Sequence, residues 1–157
     1  MRFREIVFIL SAIILFSSIL FGQTNTKTKP STTTPPISNQ IKSSPAYAEV
    51  LLQKTELLSE LESILVEYTE EYPKVKELRF EIGLLQKELD RILTVNLSES
   101  SKLSAALGKL MVRKCELSTD VWNLQKQFND THPDVKRARR KAEIFDAAIN
   151  EILPPAK

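Results

Sequence analysis

Apolar residues recur at helical spacing over long stretches of the chain. Two adjacent rows with a seven-residue spacing mark a first predicted helix: Val50, Leu57, Ile64 and Leu51, Leu58, Leu65. A row with alternating spacings of three and four follows it: Val75, Leu78, Ile82, Leu85, Leu89 and Ile92. Residues at these intervals share one side of an α-helix, so the pattern predicts two helices that each bury an apolar stripe.

The second half of the chain repeats the first at an offset of 60 residues. The segment 54–57 (Lys-Thr-Glu-Leu) returns as 114–117 (Lys-Cys-Glu-Leu), and Tyr72-Pro73 returns as His132-Pro133. The match extends without a gap over about 48 residues, which indicates that one structural unit is used twice. Two residues separated by this offset are called repeat counterparts below. The repeat predicts a third and a fourth helix with the same arrangement as the first two.

Proline divides each repeat into two helices. The residue before a proline is disfavoured in the α conformation, whereas proline itself is favoured in the first turn of a helix. Pro73 and Pro133 therefore end one helix and begin the next after a short connection. The prediction is an all-α fold of two tandem antiparallel helical hairpins, arranged as a four-helix bundle or as an elongated coiled coil. The predicted units are a hairpin over 46–93, a loop over 94–101, a hairpin over 102–153 and a tail over 154–157.

The first 45 residues do not follow this pattern. Arg2 and Arg4 precede an apolar run of about 16 residues, which Gly22 follows. This order is typical of a secretory signal peptide, here over 1–22. An uncleaved membrane anchor through residues 6–22 is the alternative, because the run is just short of the roughly 17–25 residues that span a bilayer. Residues 23–45 are rich in Thr, Ser and Pro and predict a disordered linker.

Charge is balanced overall but uneven along the chain. The chain has 22 Lys and Arg against 20 Asp and Glu, and this balance does not indicate a nucleic-acid partner. Glutamates dominate the first predicted helix, whereas the fourth contains a basic cluster: Lys136, Arg137, Arg139, Arg140 and Lys141. Two interpretations remain open. The cluster pairs with the acidic first helix, or it contacts anionic lipid or polysaccharide.

Three positions of the repeat are candidates for special roles. Lys54 and its counterpart Lys114 interrupt the apolar seams, where a lysine either extends to solvent or fixes helix register. Cys115 is the single cysteine, so it forms no disulfide within the chain. It is either an ordinary thiol beside the seam or a point of self-association. Trp122, where the first repeat has Glu62, either fills space between helices or marks a contact with a second chain.

Motifs for catalysis are not found in the sequence. The single histidine, His132, has no set of cysteines around it that would complete a structural zinc site. The chain has three glycines and neither a phosphate-binding loop nor a Gly-x-Ser-x-Gly nucleophile elbow. We therefore predict a protein that is not an enzyme and that uses no cofactor and no metal ion.

The repeated turn resembles a known segment. Tyr68-Thr-Glu-Glu-Tyr72-Pro73-Lys-Val75 and Phe128-Asn-Asp-Thr-His132-Pro133-Asp-Val135 are similar to the turn in the periplasmic coiled coil of polysaccharide chain-length determinant proteins. This resemblance implies a helical hairpin in the cell envelope. The sequence shows no second membrane span, no α/β periplasmic domain and no nucleotide-binding kinase region, so the resemblance does not extend to copolymerase activity.

Together these features predict an exported protein of the bacterial periplasm or cell envelope that acts by binding or scaffolding. Its expected partners are another protein or a second copy of itself, with the membrane surface or an anionic polysaccharide as further possibilities. The alternatives are a holdase-like chaperone, which exposed apolar residues at the hairpin tips would favour, and a membrane-anchored protein that uses the basic cluster of the fourth helix.

Overall fold

The computed structural model describes residues 37–154, and all regular structure in this range is helical. Five α-helices and one 3₁₀ turn follow one another along the chain: α1 (Ile37–Lys42), α2 (Pro45–Leu65), α3 (Pro73–Leu93), the 3₁₀ turn (Leu97–Lys102), α4 (Ala105–Gln125) and α5 (Pro133–Ile152). The prediction of an all-α fold built from two helical hairpins is confirmed.

Matching residues begin the helices of the two repeats. The hydroxyl oxygen of Ser44 accepts a hydrogen bond from the backbone N–H of Tyr47 at the start of α2, at 3.3 Å. Its counterpart Ser104 caps α4 in the same way through Leu107, also at 3.3 Å. A serine at this position satisfies a backbone N–H that has no partner within the helix. Proline occupies the first position of α3 and of α5, as predicted.

The two hairpins pack side by side. Helices α2 and α3 form one antiparallel pair, and α4 and α5 form the other. Helix α4 also packs against α2 and α3, whereas α5 packs mainly against α4. Helix α4 is therefore the central helix of a bundle. Its core includes residues from all four long helices, among them Val50, Leu85, Leu107, Met111 and Ile149.

The two hairpins approach each other closely near the start of α2. The backbone N–H of Ala46 donates to the carbonyl of Leu103 at 3.1 Å. Next to this bond, the Cα of Gly108 is so close to α2 that a Cβ built on it would lie 2.8 Å from the Cβ of Glu49. Helices can approach this closely only where one of them has no side chain, so Gly108 sets the distance between α2 and α4.

The predicted linker is shorter than expected at its C-terminal end. Residues 37–42 form α1, and Pro45 already belongs to α2. The side chain of Ile41 is almost fully buried in the core, which explains why this polar stretch is ordered. The predicted signal peptide or anchor over 1–22 and the linker over 23–36 lie outside the described residues. Among the helices of residues 37–154, none is both long enough and apolar enough to cross a membrane.

Candidate functional site

The two hairpin tips are built in the same way. The rings of Tyr68 and Tyr72 are stacked, with centroids 4.1 Å apart and planes 20° apart. Their counterparts Phe128 and His132 are stacked with centroids 4.2 Å apart and planes 21° apart. The second ring of each pair belongs to the residue that caps the helix after the tip. The sequence motif Tyr/Phe-x-x-x-Tyr/His-Pro therefore encodes a stacked ring pair at a helix reversal.

An ion pair is repeated beside each ring pair. Arg79 Nε lies 2.7 Å from a carboxylate oxygen of Glu70, and Arg139 Nη2 lies 2.8 Å from Asp130. The hydrogen bond from Arg79 lowers the pKa of Glu70. Hydrogen bonds from Gln125 and Arg139 lower the pKa of Asp130 in the same way. These pairs link each turn to the helix that follows it, so the tip has a defined shape although its side chains face solvent.

The two tips lie at the same end of the bundle, with a cleft between them. The cleft has a volume of about 500 Å³ and is lined by both hairpins: Tyr72, Pro73, Lys74, Glu77, Asn123, Lys126 and Gln127. Asn123 donates a hydrogen bond to Glu77 at 2.7 Å, which connects α4 to α3 beneath the tips. Most of these lining side chains are polar or charged. The apolar surface lies beside the cleft, on the ring pairs themselves.

The tip rings are large, partly exposed aromatic groups, and beside them at the end of α2 lies Val66, which is 84% exposed. The exposed fractions of Tyr68, Tyr72 and Phe128 are 45%, 38% and 37%. Aromatic side chains contribute large contact area in protein interfaces and are enriched among the residues that dominate binding energy. The paired tips are therefore the best candidate for a binding site in the described chain.

The basic cluster of α5 does not pair with the acidic first helix. Arg139 contacts Asp130 of the second tip, and Arg137 contacts Asp134, the second residue of α5. Arg140 pairs with Glu143 at 3.3 Å on the same helix, and Lys136 and Lys141 are exposed. This differs from the side-by-side arrangement considered from the sequence, because α5 packs on α4 rather than on α2. The five residues also face different directions, so they do not form one continuous basic surface.

Trp122 joins the two hairpins. Its ring stacks on Phe80 of α3, with centroids 4.6 Å apart and planes 5° apart. The ammonium group of Lys126 lies 3.1 Å from the centroid of the Trp122 ring. A stacked aromatic ring and a cation over the π-face both stabilise the position of the indole. Trp122 thus fills space between the two hairpins, which is one of the two sequence interpretations. Little of its ring surface remains free for the predicted self-association.

Cys115 lies in the core between the hairpins. Its side chain is 2% exposed, and burial together with the nearby carboxylate of Glu88 raises its pKa to about 12. A buried thiol with a raised pKa has little of the thiolate form that reacts. Cys115 is therefore too buried in this fold to link two chains, which argues against its predicted role in self-association. Its counterpart Thr55 is exposed on α2, a contrast that the repeated sequence does not reveal.

We expect the folded chain to resist thiol alkylation at Cys115. With N-ethylmaleimide at neutral pH, native protein should react at least about a hundredfold more slowly than protein in guanidinium chloride, because reaction requires local opening. The measurement is the time course of mass increase. A Thr55→Cys variant in a Cys115→Ala background is the matched control and should react quickly. Equal rates for the two positions would contradict the burial of Cys115.

Lys114 lies at the centre of a partly buried polar network that joins three helices. Its ammonium group is 2.7 Å from Glu88 of α3 and 3.0 Å from Asp146 of α5. Burial disfavours the charged lysine, but the hydrogen bonds to Glu88 and Asp146 outweigh burial and raise its pKa. The counterpart Lys54 makes a matching bond of 2.6 Å to Gln86, the counterpart of Asp146. Each lysine therefore bonds to the other helix of its own hairpin while part of its side chain stays exposed.

No group of three or more His, Cys, Asp or Glu side chains within residues 37–154 is placed to hold a metal ion. Comparisons with models of known families, with curated proteins and with solved structures find no match to this chain.

Proposed function

We propose that the protein is a non-catalytic binding or scaffolding module of the bacterial cell envelope and that the paired hairpin tips hold its partner. The observation that carries this proposal is the duplication of an exposed, stacked ring pair at two adjacent helix reversals. A single exposed ring is ordinary on a protein surface. Two matching pairs, each supported by an ion pair, form a patterned surface with a fixed geometry.

The surroundings of the tips favour binding over catalysis. The cleft is open to solvent, and several of its charged side chains already have partners, such as Lys74 with Glu77 at 3.0 Å. Enzyme sites instead exclude water and leave perturbed groups free to react with a substrate. The parallel arrangement of α2 and α4 places the tips away from the ends of the described range 37–154, which suits a protein that presents a surface to a partner.

Placement in the cell envelope is part of the proposal. It is supported by the basic start and apolar run of residues 1–22 and by the resemblance of both turns to a periplasmic coiled-coil turn. The partner proposed for the tips is a protein, because stacked aromatic side chains flanked by charged residues are typical of protein interfaces.

The test is site-specific photocrosslinking in intact cells. We expect a photoreactive residue at Glu71 or Thr131, both exposed at the tips, to capture a partner of defined mass. Changing Tyr68, Tyr72 and Phe128 to serine should reduce capture about tenfold or more, since aromatic residues at an interface centre often contribute over about 2 kcal/mol.

Leu93→Ser is the matched control, because Leu93 and Phe128 are equally exposed and Leu93 lies at the opposite end of α3. It should leave capture unchanged. Capture that survives loss of all three tip rings would contradict the tip site. Recovery of the chain in the cytosol with residues 1–22 intact would contradict the envelope location.

A holdase-like chaperone is the second candidate, and the exposed tip rings are the observation that favours it. The charged lining of the cleft weighs against it, because an unfolded client needs a continuous apolar surface. A chaperone should suppress aggregation of a chemically denatured protein such as citrate synthase at equimolar ratio. Suppression that requires Tyr68, Tyr72 and Phe128 would favour this candidate, whereas absence of suppression would exclude it.

A further inference from the structure

One side of α2 is exposed although its counterpart on α4 is buried. The outer face of α2 consists of five residues along one helical stripe: Ala48, Leu51, Thr55, Ser59 and Glu62. The counterparts form the side of α4 that packs against the first hairpin: Gly108, Met111, Cys115, Thr119 and Trp122. Leu51 is 40% exposed, whereas Met111 is fully buried. The same helix surface thus has a partner in the second repeat and none in the first.

A complementary surface on α5 is also open. In the first hairpin, the stripe of α3 that meets α4 is Glu77, Phe80, Glu81, Leu84 and Glu88. Its counterparts make up the open face of α5: Arg137, Arg140, Lys141, Ile144 and Ala148. Ile144 is more than half exposed. Beside this face runs a groove of about 540 Å³ between α4 and α5, lined in part by Leu117, Leu124 and Ala138.

We infer that these two surfaces bind each other between copies of the chain. In this contact, α2 of one copy packs against the α4–α5 hairpin of the next copy. The arrangement repeats the one within each copy, where α4 packs against the α2–α3 hairpin. Repeat proteins stack their units through one recurring interface, and terminal units without a polar cap leave that interface unsatisfied. The contact is heterologous, since two different surfaces meet, and it produces rows or rings of copies rather than closed dimers.

The residues that differ between the repeats fit this arrangement. Where Trp122 stacks on Phe80 within the chain, the equivalent contact between copies joins Glu62 to Arg140. One aromatic pair is thus replaced by one pair of opposite charges, with both partners changed together.

A second contact shows the same exchange. Within the chain, Glu81 lies near Glu116 and Asp120, and its pKa is raised by partial burial and by the charge of Glu116. Between copies the equivalent residues are Lys141 facing Glu56 and Glu60. An unfavourable set of like charges thus becomes an attractive set at this contact.

Two differences make the contact between copies weaker. The bond from Lys114 to Glu88 has no equivalent there, because the corresponding residues are Lys54 and Ala148. The counterpart of Gly108 is Ala48, whose methyl group has to fit where the two helices approach most closely. We therefore expect reversible assembly that depends on protein concentration and weakens as salt rises, because charge pairs contribute to it. This inference extends the proposed scaffolding role, since a row of copies would present a row of tips.

The test compares the masses of full-length variants by sedimentation velocity in one mild detergent. The wild type should grow beyond a dimer as concentration rises. Leu51→Arg should block the outer face of α2, and Arg140→Glu should block the open face of α5, each raising the apparent Kd about tenfold or more. Lys136→Glu is the matched control for charge. The counterpart of Lys136 is Lys76, which is exposed and pairs with Glu71 rather than with α4, so Lys136 is expected to lie outside the contact between copies.

Mixing the two blocked variants distinguishes this arrangement from others. A Leu51→Arg chain keeps its open α5 face, and an Arg140→Glu chain keeps its outer α2 face, so a mixture should form dimers and stop there. The double variant E62R/R140E should assemble again, which would exclude misfolding as the cause of the single defects. A monomeric wild type, unchanged assembly of both single variants, or mixtures that grow beyond dimers would overturn the inference. In the Arg140→Glu variant, photocrosslinking of a partner at the tips should persist although assembly is weakened. Failure of the assembly proposal can therefore be distinguished from failure of the tip site.

Discussion

Lys114→Met is expected to lower the free energy of unfolding by about 3 kcal/mol, because it leaves the Glu88 carboxylate without a hydrogen-bond partner inside the bundle. Glu88 is 6% exposed, and the ammonium group of Lys114 is its hydrogen-bond partner at 2.7 Å. The nearest other cation, Arg91, is 3.9 Å from the second carboxylate oxygen, which has no hydrogen-bond partner within the described residues. The measurement is urea denaturation followed by circular dichroism.

The repeat supplies a matched control for this substitution. Lys54→Met removes the equivalent lysine, whose partner is the neutral and partly exposed Gln86. Its cost should be below about 1.5 kcal/mol, as for an ordinary hydrogen bond. The double variant Glu88→Leu with Lys114→Met should recover much of the lost stability, because both charges are then gone. Equal losses for Lys54→Met and Lys114→Met would show that burial of Glu88 has no energetic consequence.

The dependence of stability on pH tests the same network of Lys114, Glu88 and Asp146. The hydrogen bond from Lys114 lowers the pKa of Asp146 below its ordinary value of 3.8, so the folded state binds this proton less readily than the unfolded state. The associated stability is present above the ordinary pKa and is lost as pH falls through the lowered one. This loss should be smaller in Lys114→Met, where Asp146 no longer has the lysine.

Gly108→Leu is expected to destabilise the bundle by about 3 kcal/mol, at the upper end for overpacked positions. Even alanine should destabilise it, since its Cβ would lie 2.8 Å from the Cβ of Glu49 and 2.9 Å from the carbonyl oxygen of Ala46. Part of this contact is with backbone, which cannot rotate away as a flexible side chain can. The two helices would have to separate, and the bond from Ala46 to Leu103 would lengthen.

Gly83→Ala is the control for helix propensity. No atom lies within 4 Å of a Cβ built at Gly83, which is exposed in the middle of α3. Alanine there should stabilise the chain by about 0.5–1 kcal/mol, because it restricts the unfolded state and favours the helix. The two glycine-to-alanine changes should therefore have opposite signs in thermal unfolding. A stabilising Gly108→Ala would show that α2 and α4 separate at little cost.

The helices and their reversals could be predicted from the sequence, because apolar periodicity and proline are local signals. The neighbours of each helix could not, since both repeats show nearly the same seam. Thr55 and Cys115 occupy equivalent positions, yet only Cys115 is buried, because α4 packs between the first hairpin and α5. Helix α1 was missed for a related reason: six residues in a polar stretch carry no periodicity, and burial of Ile41 against the bundle orders them.

The tip could be predicted in part. The repeated aromatic and proline positions marked it, but the sequence alone did not indicate that the rings stack. The ion pair of Arg79 with Glu70 was missed although a signal was present, because Arg139 and Asp130 recur at the same offset. The role of Glu88 left no such signal. Its counterpart is Ala148, so the buried network exists in one repeat only.

Because α2 and α4 run parallel, the bundle holds both hairpin tips at a fixed distance from its opposite end, which is called the base below. Arg91 near the end of α3 donates to Asn150 near the end of α5 at 2.8 Å, and α1 contacts α3 and the 3₁₀ turn. Both ends of the described chain therefore lie at the base, and the tips stand roughly 30 Å away along helices with a rise of about 1.5 Å per residue. Inserting seven residues into each long helix would raise the tips by about 10 Å while keeping every apolar stripe in place.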